Sequence, residues 1–228
     1  MRVDTQNVNP AVKSLFENPQ QVIFLDANFF IPPDRGSVGG GRIPFSKYKE
    51  YWLDPLFHAF PNLSVHETVY EELIDGSVKQ FADEKIAENP SRLDVYYDSA
   101  LSAHEQNLLG MQIQKLAPWS GYIPEMDNAK DRGEIRSLAY MSVKNFLYFA
   151  ANDTLPVNLL KKAEENGLEG ISLIQPYEIL YYLRKKDGYD IKGFKMLYKY
   201  LYYLTTKEKR ENPEWGEFVK AMDCLYEF

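Results

Sequence analysis

The sequence predicts an α/β fold in which a central parallel sheet of four to five strands is covered by helices on both faces. Short apolar runs alternate along the chain with stretches whose apolar residues recur at helical spacing. The runs carry too few polar residues for a sheet that faces water on one side, and such runs are typical of buried parallel strands. The predicted strands are 22–25, 63–65, 146–150 and 171–174.

The segments between these strands have apolar residues at helical spacing and are predicted to be helices. In chain order the predicted helices are 11–16, 45–60, 66–75, two within 76–117 that divide at Asn89-Pro90 (the second spanning 91–117), one starting near Asp131 and running to 144, and 158–167 and 176–186. The glycine-rich segment 34–41 looks like a phosphate-binding loop, but no Gly-Lys-Ser/Thr follows it. We therefore expect a mobile loop there.

Domain organisation follows from the length and the composition. We expect a domain at 1–188 with a helical insertion at about 76–124, and a C-terminal helical appendage at 189–228. The chain has 228 residues, 45% hydrophobic and 26% charged, and no apolar run long enough to cross a membrane. The first residues lack the apolar core of a signal peptide, and the only cysteine is Cys224, so we expect a cytoplasmic protein without disulfides.

Charge is unevenly distributed along the chain. The net charge is −7, yet residues 184–210 hold nine Lys/Arg against three Asp/Glu, while the remainder holds 17 against 30. Within this basic segment the helix 191–204 carries Lys192, Lys195 and Lys199 on one stripe, and together with Arg42 they are the candidate contacts to nucleic-acid phosphates. The alternative, which we favour, is a helical hairpin packed on the domain with its lysines in solvent.

Acidic residues occupy corresponding places along the predicted fold. Asp26 and Asp153 each follow a strand, Glu72 lies in the helix after the second strand, and Asp131 and Glu134 lie in the first turn of a later helix. Strand ends and helix starts meet at one edge of a parallel sheet, so these acids should converge. Converging carboxylates repel each other unless a divalent cation neutralises them. For Asp26 alone, a helix N-cap is the competing interpretation.

The choice of metal follows from the available ligands. The chain has three histidines without metal-binding spacing, namely His58, His66 and His104, and one cysteine. A metal site must therefore use carboxylate oxygens, which favours Mg²⁺ or Mn²⁺ over zinc.

Four short motifs and their order resemble the PIN-domain nucleases. They are LDANFFI, VYEEL, DRGEIRSLA and FAANDT, and with the final GISLIQPYEIL the resemblance covers about residues 22–183. It implies a Rossmann-like, PIN-like parallel sheet and a metal-dependent nuclease of single strands, most often RNA. The site residues that the resemblance carries over are Asp26, Asn28, Glu72, Asp131, Glu134 and Asp153.

The roles of these residues are also implied by the resemblance. Asp26, Glu72, Glu134 and Asp153 would be the metal ligands, and Asn28 would orient a ligand or a water. Members of the family use either Asp or Glu in the third motif, so Asp131 and Glu134 both stay candidates. Asp131 could instead cap the helix, with Glu134 completing a capping box.

The expected function is therefore a metal-dependent endoribonuclease that cleaves RNA with one or two Mg²⁺ or Mn²⁺ ions. Three alternatives are a non-catalytic scaffold that binds RNA or a partner protein, the toxin of a toxin–antitoxin pair with an inhibitory antitoxin-like partner, and an aspartyl-nucleophile phosphatase. The phosphatase is disfavoured because position 28 holds Asn28 where it needs a second aspartate. A homodimer is a further possibility, and no membrane association is expected.

Overall fold

The protein is an α/β fold built on one five-stranded parallel sheet, which confirms the predicted fold class. A computed structural model describes residues 2–186, 189 and 191–226. The strands are β1 Ile23–Leu25, β2 Leu63–His66, β3 Leu93–Tyr96, β4 Tyr148–Ala150 and β5 Ser172–Ile174. Their order across the sheet is β3-β2-β1-β4-β5.

Helices connect the strands. They are α1 Pro10–Glu17, α2 Phe45–Tyr48, α3 Asp54–Ala59, α4 Glu67–Glu72, α5 Gly76–Ala87, α6 Ala103–Leu116, α7 Arg132–Lys144, α8 Thr154–Leu160, α9 Ala163–Asn166, α10 Pro176–Arg184, α11 Ile191–Tyr202, α12 Thr206–Glu211 and α13 Trp215–Leu225. A π-helical turn, Lys49–Leu53, joins α2 to α3. The helix predicted for 45–60 is thus continuous apart from this turn.

Strand β1 is the centre of the sheet, with parallel neighbours on both sides. Ile23 pairs with Leu63 of β2 and with Tyr148 of β4. All three residues of β1 are fully buried, as expected for a strand with a continuous apolar sequence. The chain adds strands first on the β2 side and later on the β4 side, so the strand order reverses between β1 and β4. In open α/β sheets ligands bind at the carboxyl ends of the strands at such a reversal.

The helix predicted for 91–117 is wrong in its first part. Leu93–Tyr96 is the edge strand β3, which pairs in parallel with β2 from Leu63↔Leu93 to His66↔Tyr96. Helix α6 begins only at Ala103, where Ser102 and Glu105 form a capping box. The region 76–124 therefore contributes a strand to the sheet as well as helices.

Contacts group the chain into two compact units. The sheet unit comprises Gln21–Ile31 and Asn62–Leu173, and the terminal unit comprises Met1–Gln20, Pro32–Pro61 and Ile174–Phe228. The predicted domain boundary between 188 and 189 falls at Gly188, which lies outside the described residues. That boundary stays a prediction.

The terminal unit packs its last helices as the favoured interpretation expects. Phe194, Leu197 and Tyr198 of α11 are buried, whereas Lys195 and Lys199 on its other side are exposed. Ring contacts continue the packing into α13, where Tyr198 stacks on Phe218 with centroids 4.6 Å apart. The aromatic residues at helical spacing therefore serve as core.

The segment 34–42 of the same unit is tied down by several hydrogen bonds. Asp34 and Arg42 form an isolated antiparallel bridge. Arg35 pairs with Glu208 and donates from Nη1 to the Leu201 carbonyl at 3.1 Å. The glycine-rich sequence thus forms a closed, anchored loop.

Among the residues that the structure describes, no helix is long and apolar enough to span a membrane.

Candidate metal centre

Asp26 lies at the carboxyl end of β1, beside the reversal in strand order. Its backbone N–H donates to the Ala150 carbonyl of β4 at 3.0 Å, which fixes it at the ends of both strands. A 3₁₀ turn, Ala27–Phe29, follows directly, and Asp26 occupies its N-cap position with Oδ1 accepting from the Ala27 N–H at 2.8 Å. The side chain is only 2% exposed. Asp26 is thus both a cap and a member of the acidic site described next.

Three of the predicted acids converge. Asp26, Glu134 and Asp153 each place one carboxylate oxygen within 4.8 Å of the other two. Asp153 follows β4 and is the N-cap residue of α8, but its side chain makes no capping hydrogen bond. It is exposed, Glu134 is half-buried and Asp26 is buried, so the cluster leads from the protein interior to solvent.

Helix α7 brings Glu134 to this place because its apolar face is fixed in the core. Ile135, Leu138 and Met141 are fully buried in the same hydrophobic cluster as Phe24 of β1 and Phe149 of β4. This packing sets the rotation of α7 about its axis. Glu134, in the first helical turn, is then directed to the strand ends.

Glu72 of α4 is not one of the three grouped acids, but it lies near enough for Glu134 and Asp153 to raise its pKa, and it is held by the start of α7. Its carboxylate accepts a hydrogen bond from the Gly133 N–H. A Cβ on Gly133 would lie 2.6 Å from Glu72 Oε1, so only glycine permits this approach. The neighbouring Glu71 is exposed and pairs instead with Arg132, at 2.8 Å.

Burial of the carboxylates and repulsion between them raise the pKa values of three of these acids. Burial raises the pKa of Asp26 well above its ordinary value, and the charges of Glu134 and Asp153 raise that pKa further. Burial and then the charge of Glu134 raise the pKa of Glu72 to about 7. The pKa of Glu134 is also raised, by burial and by Asp153. The charges of Glu134 and Asp153 therefore disfavour ionisation of Asp26 and of Glu72, a condition that a bound cation would reverse.

Asp131 is placed differently from Glu134. It is the N-cap residue of α7, yet it makes no side-chain cap and the predicted capping box does not form. The reason is its left-handed backbone, with φ of 57°, whereas a capping side chain needs an extended N-cap residue. Its Oδ2 instead accepts from the Gly121 N–H at 2.7 Å. Of the two acids in the third motif, it is Glu134 that the structure groups with Asp26 and Asp153.

The remaining predicted residues are not members of the acidic cluster. Asn28 is half-buried in the turn after Asp26. The candidate phosphate contacts belong to the terminal unit, and their role stays a prediction: Arg42, Lys192, Lys195 and Lys199.

A second polar cluster was missed by sequence reasoning. His66, at the end of β2, is fully buried and contacts Thr68 through Nδ1 and Asp98 through Nε2, at 2.8 and 2.9 Å. Asp98 also accepts from Arg136 of α7 at 2.6 Å. Although burial raises the pKa of Asp98, the hydrogen bond from His66 and the charge of Arg136 lower it more, and the net shift is downward. Asp98 follows β3 closely, as Asp26 follows β1, so recognising β3 would have revealed it.

Comparisons with known proteins add no assignment. The chain matches no protein-family model, and neither the curated proteins nor the solved structures gave a significant match.

Proposed function

We propose that this protein is a metal-dependent nuclease whose centre is formed by Asp26, Glu134, Asp153 and Glu72. The observation that carries the proposal is the convergence of Asp26, Glu134 and Asp153 within 4.8 Å at the strand reversal. Charges of one sign brought together at a ligand-binding edge destabilise the fold unless something positive binds there. The family resemblance of the four motifs around these acids supports phosphodiester hydrolysis and RNA as the substrate.

The donor set fits Mg²⁺ or Mn²⁺. All the converging groups are carboxylates, which are hard oxygen ligands, and magnesium sites in proteins typically use one or a few carboxylates together with water. Asp153 is exposed, so solvent and a substrate phosphate can reach that side of the cluster. Histidine and cysteine, which zinc prefers, do not belong to it.

Three of the four carboxylates have a defined task in this proposal. Oδ1 of Asp26 accepts a hydrogen bond from the Ala27 N–H, which orients the carboxylate and leaves Oδ2 as a ligand atom. Glu72 is oriented in the same way by the Gly133 N–H. A divalent cation bound among them supplies Lewis acidity, which acidifies a water and offsets the charge of the phosphate. As the attacking water forms its bond to phosphorus, it would lose a proton to Asp153 at the solvent side. The P–O bond to the leaving nucleotide would break, and its oxygen would take a proton from solvent.

The test is Asp26→Asn, with Asp94→Asn as the control because Asp94 is an exposed aspartate on β3 outside the cluster. Asp26→Asn should abolish Mn²⁺-dependent cleavage of single-stranded RNA and leave the thermal stability equal or higher, since it removes a repelling carboxylate. Asp94→Asn should cleave at the wild-type rate. Unchanged cleavage by Asp26→Asn would refute the proposed site.

A non-catalytic scaffold that binds RNA is the competing function, and the exposed lysines of α11 favour it. In that case the wild-type protein binds RNA, and Mn²⁺ produces neither cleavage nor a thermal shift that depends on Asp26. An antitoxin-like partner and a homodimer stay predictions from the sequence.

A further inference from the structure

A cleft of about 310 Å³ lies in the sheet unit where α8 meets α9. Its lining residues are Trp119, Leu155, Asn158, Leu159, Lys161, Lys162 and Asn166. We propose that this cleft binds a base of a single-stranded RNA whose phosphate occupies the acidic cluster, with Trp119 as the stacking platform. This inference rests on the proposed nuclease function and adds to it a subsite that binds a base of the substrate.

The first observation is the exposure of the indole. Trp119 is 57% exposed, whereas Trp52 and Trp215 are 2% and 6% exposed. Leu159 is buried and forms an apolar part of the lining. A flat exposed aromatic ring beside an apolar surface is the usual platform for an unpaired base, and it accepts any base because every base has a π face.

The second observation is the positive charge at the cleft. Lys162 Nζ lies 5.4 Å from the centroid of the Trp119 ring. Lys162 also pairs with Glu165 at 3.4 Å, and this exposed pair costs little to open. Lys161 is exposed, and within the described chain no carboxylate lies at ion-pair distance from it. Cations beside an aromatic ring match a base with its phosphates better than they match an apolar peptide.

The third observation is the covalent and hydrogen-bonded link to the acidic site. One wall of the cleft is α8, which begins immediately after Asp153. Asn158 lies five residues after Asp153, or about 7.5 Å along the helix axis. At the rise of a stacked strand this corresponds to about two nucleotides.

The opposite wall has a link of its own. Trp119 belongs to the turn Ala117–Trp119, and Gly121 shortly after it donates its N–H to Asp131 at the start of α7. Helix α7 carries Glu134, a member of the acidic cluster. Both walls of the cleft are therefore connected to elements that carry residues of the acidic cluster. A subsite that binds the same RNA strand as the cluster requires such a fixed position.

The experiment measures binding of a short fluorescein-labelled oligouridylate to the full chain carrying Asp26→Asn, which cannot cleave it under the proposed function. Trp119→Ala should weaken binding by roughly 5- to 150-fold, the loss of one stacked base, and Trp119→Phe should restore part of it. Met111→Ala is the matched control because Met111 is also a solvent-exposed apolar residue, on α6 and outside the cleft lining, and it should bind as the parent does.

Charge is tested by a second readout. The double substitution Lys161→Gln and Lys162→Gln should lower the slope of log Kd against log salt by about 1.4, since each phosphate contact on a single strand contributes about 0.7. The exposed Lys220→Gln on α13 is the control and should leave the slope unchanged. In the Asp26→Asn chain with Trp119 intact, oligouridylate should also protect Trp119 from fluorescence quenching by acrylamide.

The outcomes separate the two proposals. Hydrolysis of bis(4-nitrophenyl) phosphate, which is too short to extend from the acidic cluster into the cleft, should depend on Mn²⁺ and Asp26 and be unaffected by Trp119→Ala. If this hydrolysis occurs but Trp119→Ala binds RNA normally and the indole is not protected, the cleft is not a base subsite. If the hydrolysis is absent while RNA still protects Trp119, the base subsite stands and the nuclease proposal fails. Binding of double-stranded RNA as tight as that of the single strand would also overturn the inference.

Discussion

Gly133→Ala tests the contact that holds Glu72 in the acidic site. The new Cβ would lie 2.6 Å from Glu72 Oε1 and 3.1 Å from Val69 Cγ2. The first distance is too short for any contact, so the Glu72 carboxylate must move and lose its hydrogen bond from the Gly133 N–H. The substitution therefore displaces a proposed ligand without changing any ligand's chemistry.

The expected change in the free energy of unfolding of Gly133→Ala is the difference between two opposing effects. Alanine favours a helix over glycine by about 1 kcal/mol in the interior, and by less in the first turn where Gly133 lies. Inserting a methyl group into a tightly packed place costs about 1–3 kcal/mol. The free energy of unfolding should therefore fall by about 0–2 kcal/mol. Gly110→Ala in α6 isolates the first effect, because nothing lies within 4 Å of its Cβ position, and it should stabilise the protein by about 1 kcal/mol.

Urea unfolding without metal, followed by circular dichroism, measures these values. Combining Gly133→Ala with Glu72→Ala removes the clashing oxygen, so the cost of Gly133→Ala should shrink by about 1 kcal/mol in that background. Calorimetric titration with Mn²⁺ should show an affinity loss of about 10- to 100-fold for Gly133→Ala alone, as for other residues that orient a ligand. An equal cost of Gly133→Ala in both backgrounds, together with unchanged Mn²⁺ affinity, would refute the described geometry.

Three further predictions concern the rest of the fold. Burial raises the pKa of Glu178 to about 7. The stability that the protonated side chain contributes is therefore full below its ordinary pKa and is lost as the pH rises through 7. Glu178→Gln should reduce this loss by up to about 3 kcal/mol in denaturation curves measured from pH 4 to 8. Asp98→Ala leaves His66 and Arg136 without their shared partner and should cost about 3 kcal/mol, whereas Asp98→Asn, which keeps an acceptor for His66, should cost less; equal costs would contradict the network. Asn145 ends α7 with φ of 56°, so Asn145→Gly should preserve the melting temperature or raise it and Asn145→Ala should lower the stability by about 1 kcal/mol, an order that calorimetry can check.

Local sequence was sufficient to predict the central part of the fold. The short, mostly apolar runs at β1, β2, β4 and β5 identified four of the five strands. It was insufficient for β3, because Leu93, Tyr96 and Ala100 also fit a helical face, and because an edge strand is only partly buried. What decides its structure is the backbone pairing with β2, a contact between residues about thirty positions apart.

The acidic cluster was predictable because topology places its members. An acid shortly after a parallel strand lies at the carboxyl edge of the sheet, so Asp26 and Asp153 could be assigned to the same edge from the sequence. The choice between Asp131 and Glu134 was not predictable, since it depends on a left-handed backbone and on an amide ten residues upstream, at Gly121. The role of Gly133 was hidden for the same reason, because it depends on how closely α4 approaches α7.

The terminal unit is assembled from segments at opposite ends of the chain, and this affects the order in which the parts of the protein can fold during synthesis. The Val3 N–H donates to Asn212 Oδ1 at 2.8 Å, and the Asn9 N–H donates to the Tyr226 hydroxyl at 2.9 Å. A ribosome therefore synthesises the first residues of this unit long before their partners exist. The sheet unit, complete at Leu173, has all its residues earlier. During translation the acidic residues of the sheet unit are thus available for folding while helix α1 still lacks the residues that cover it.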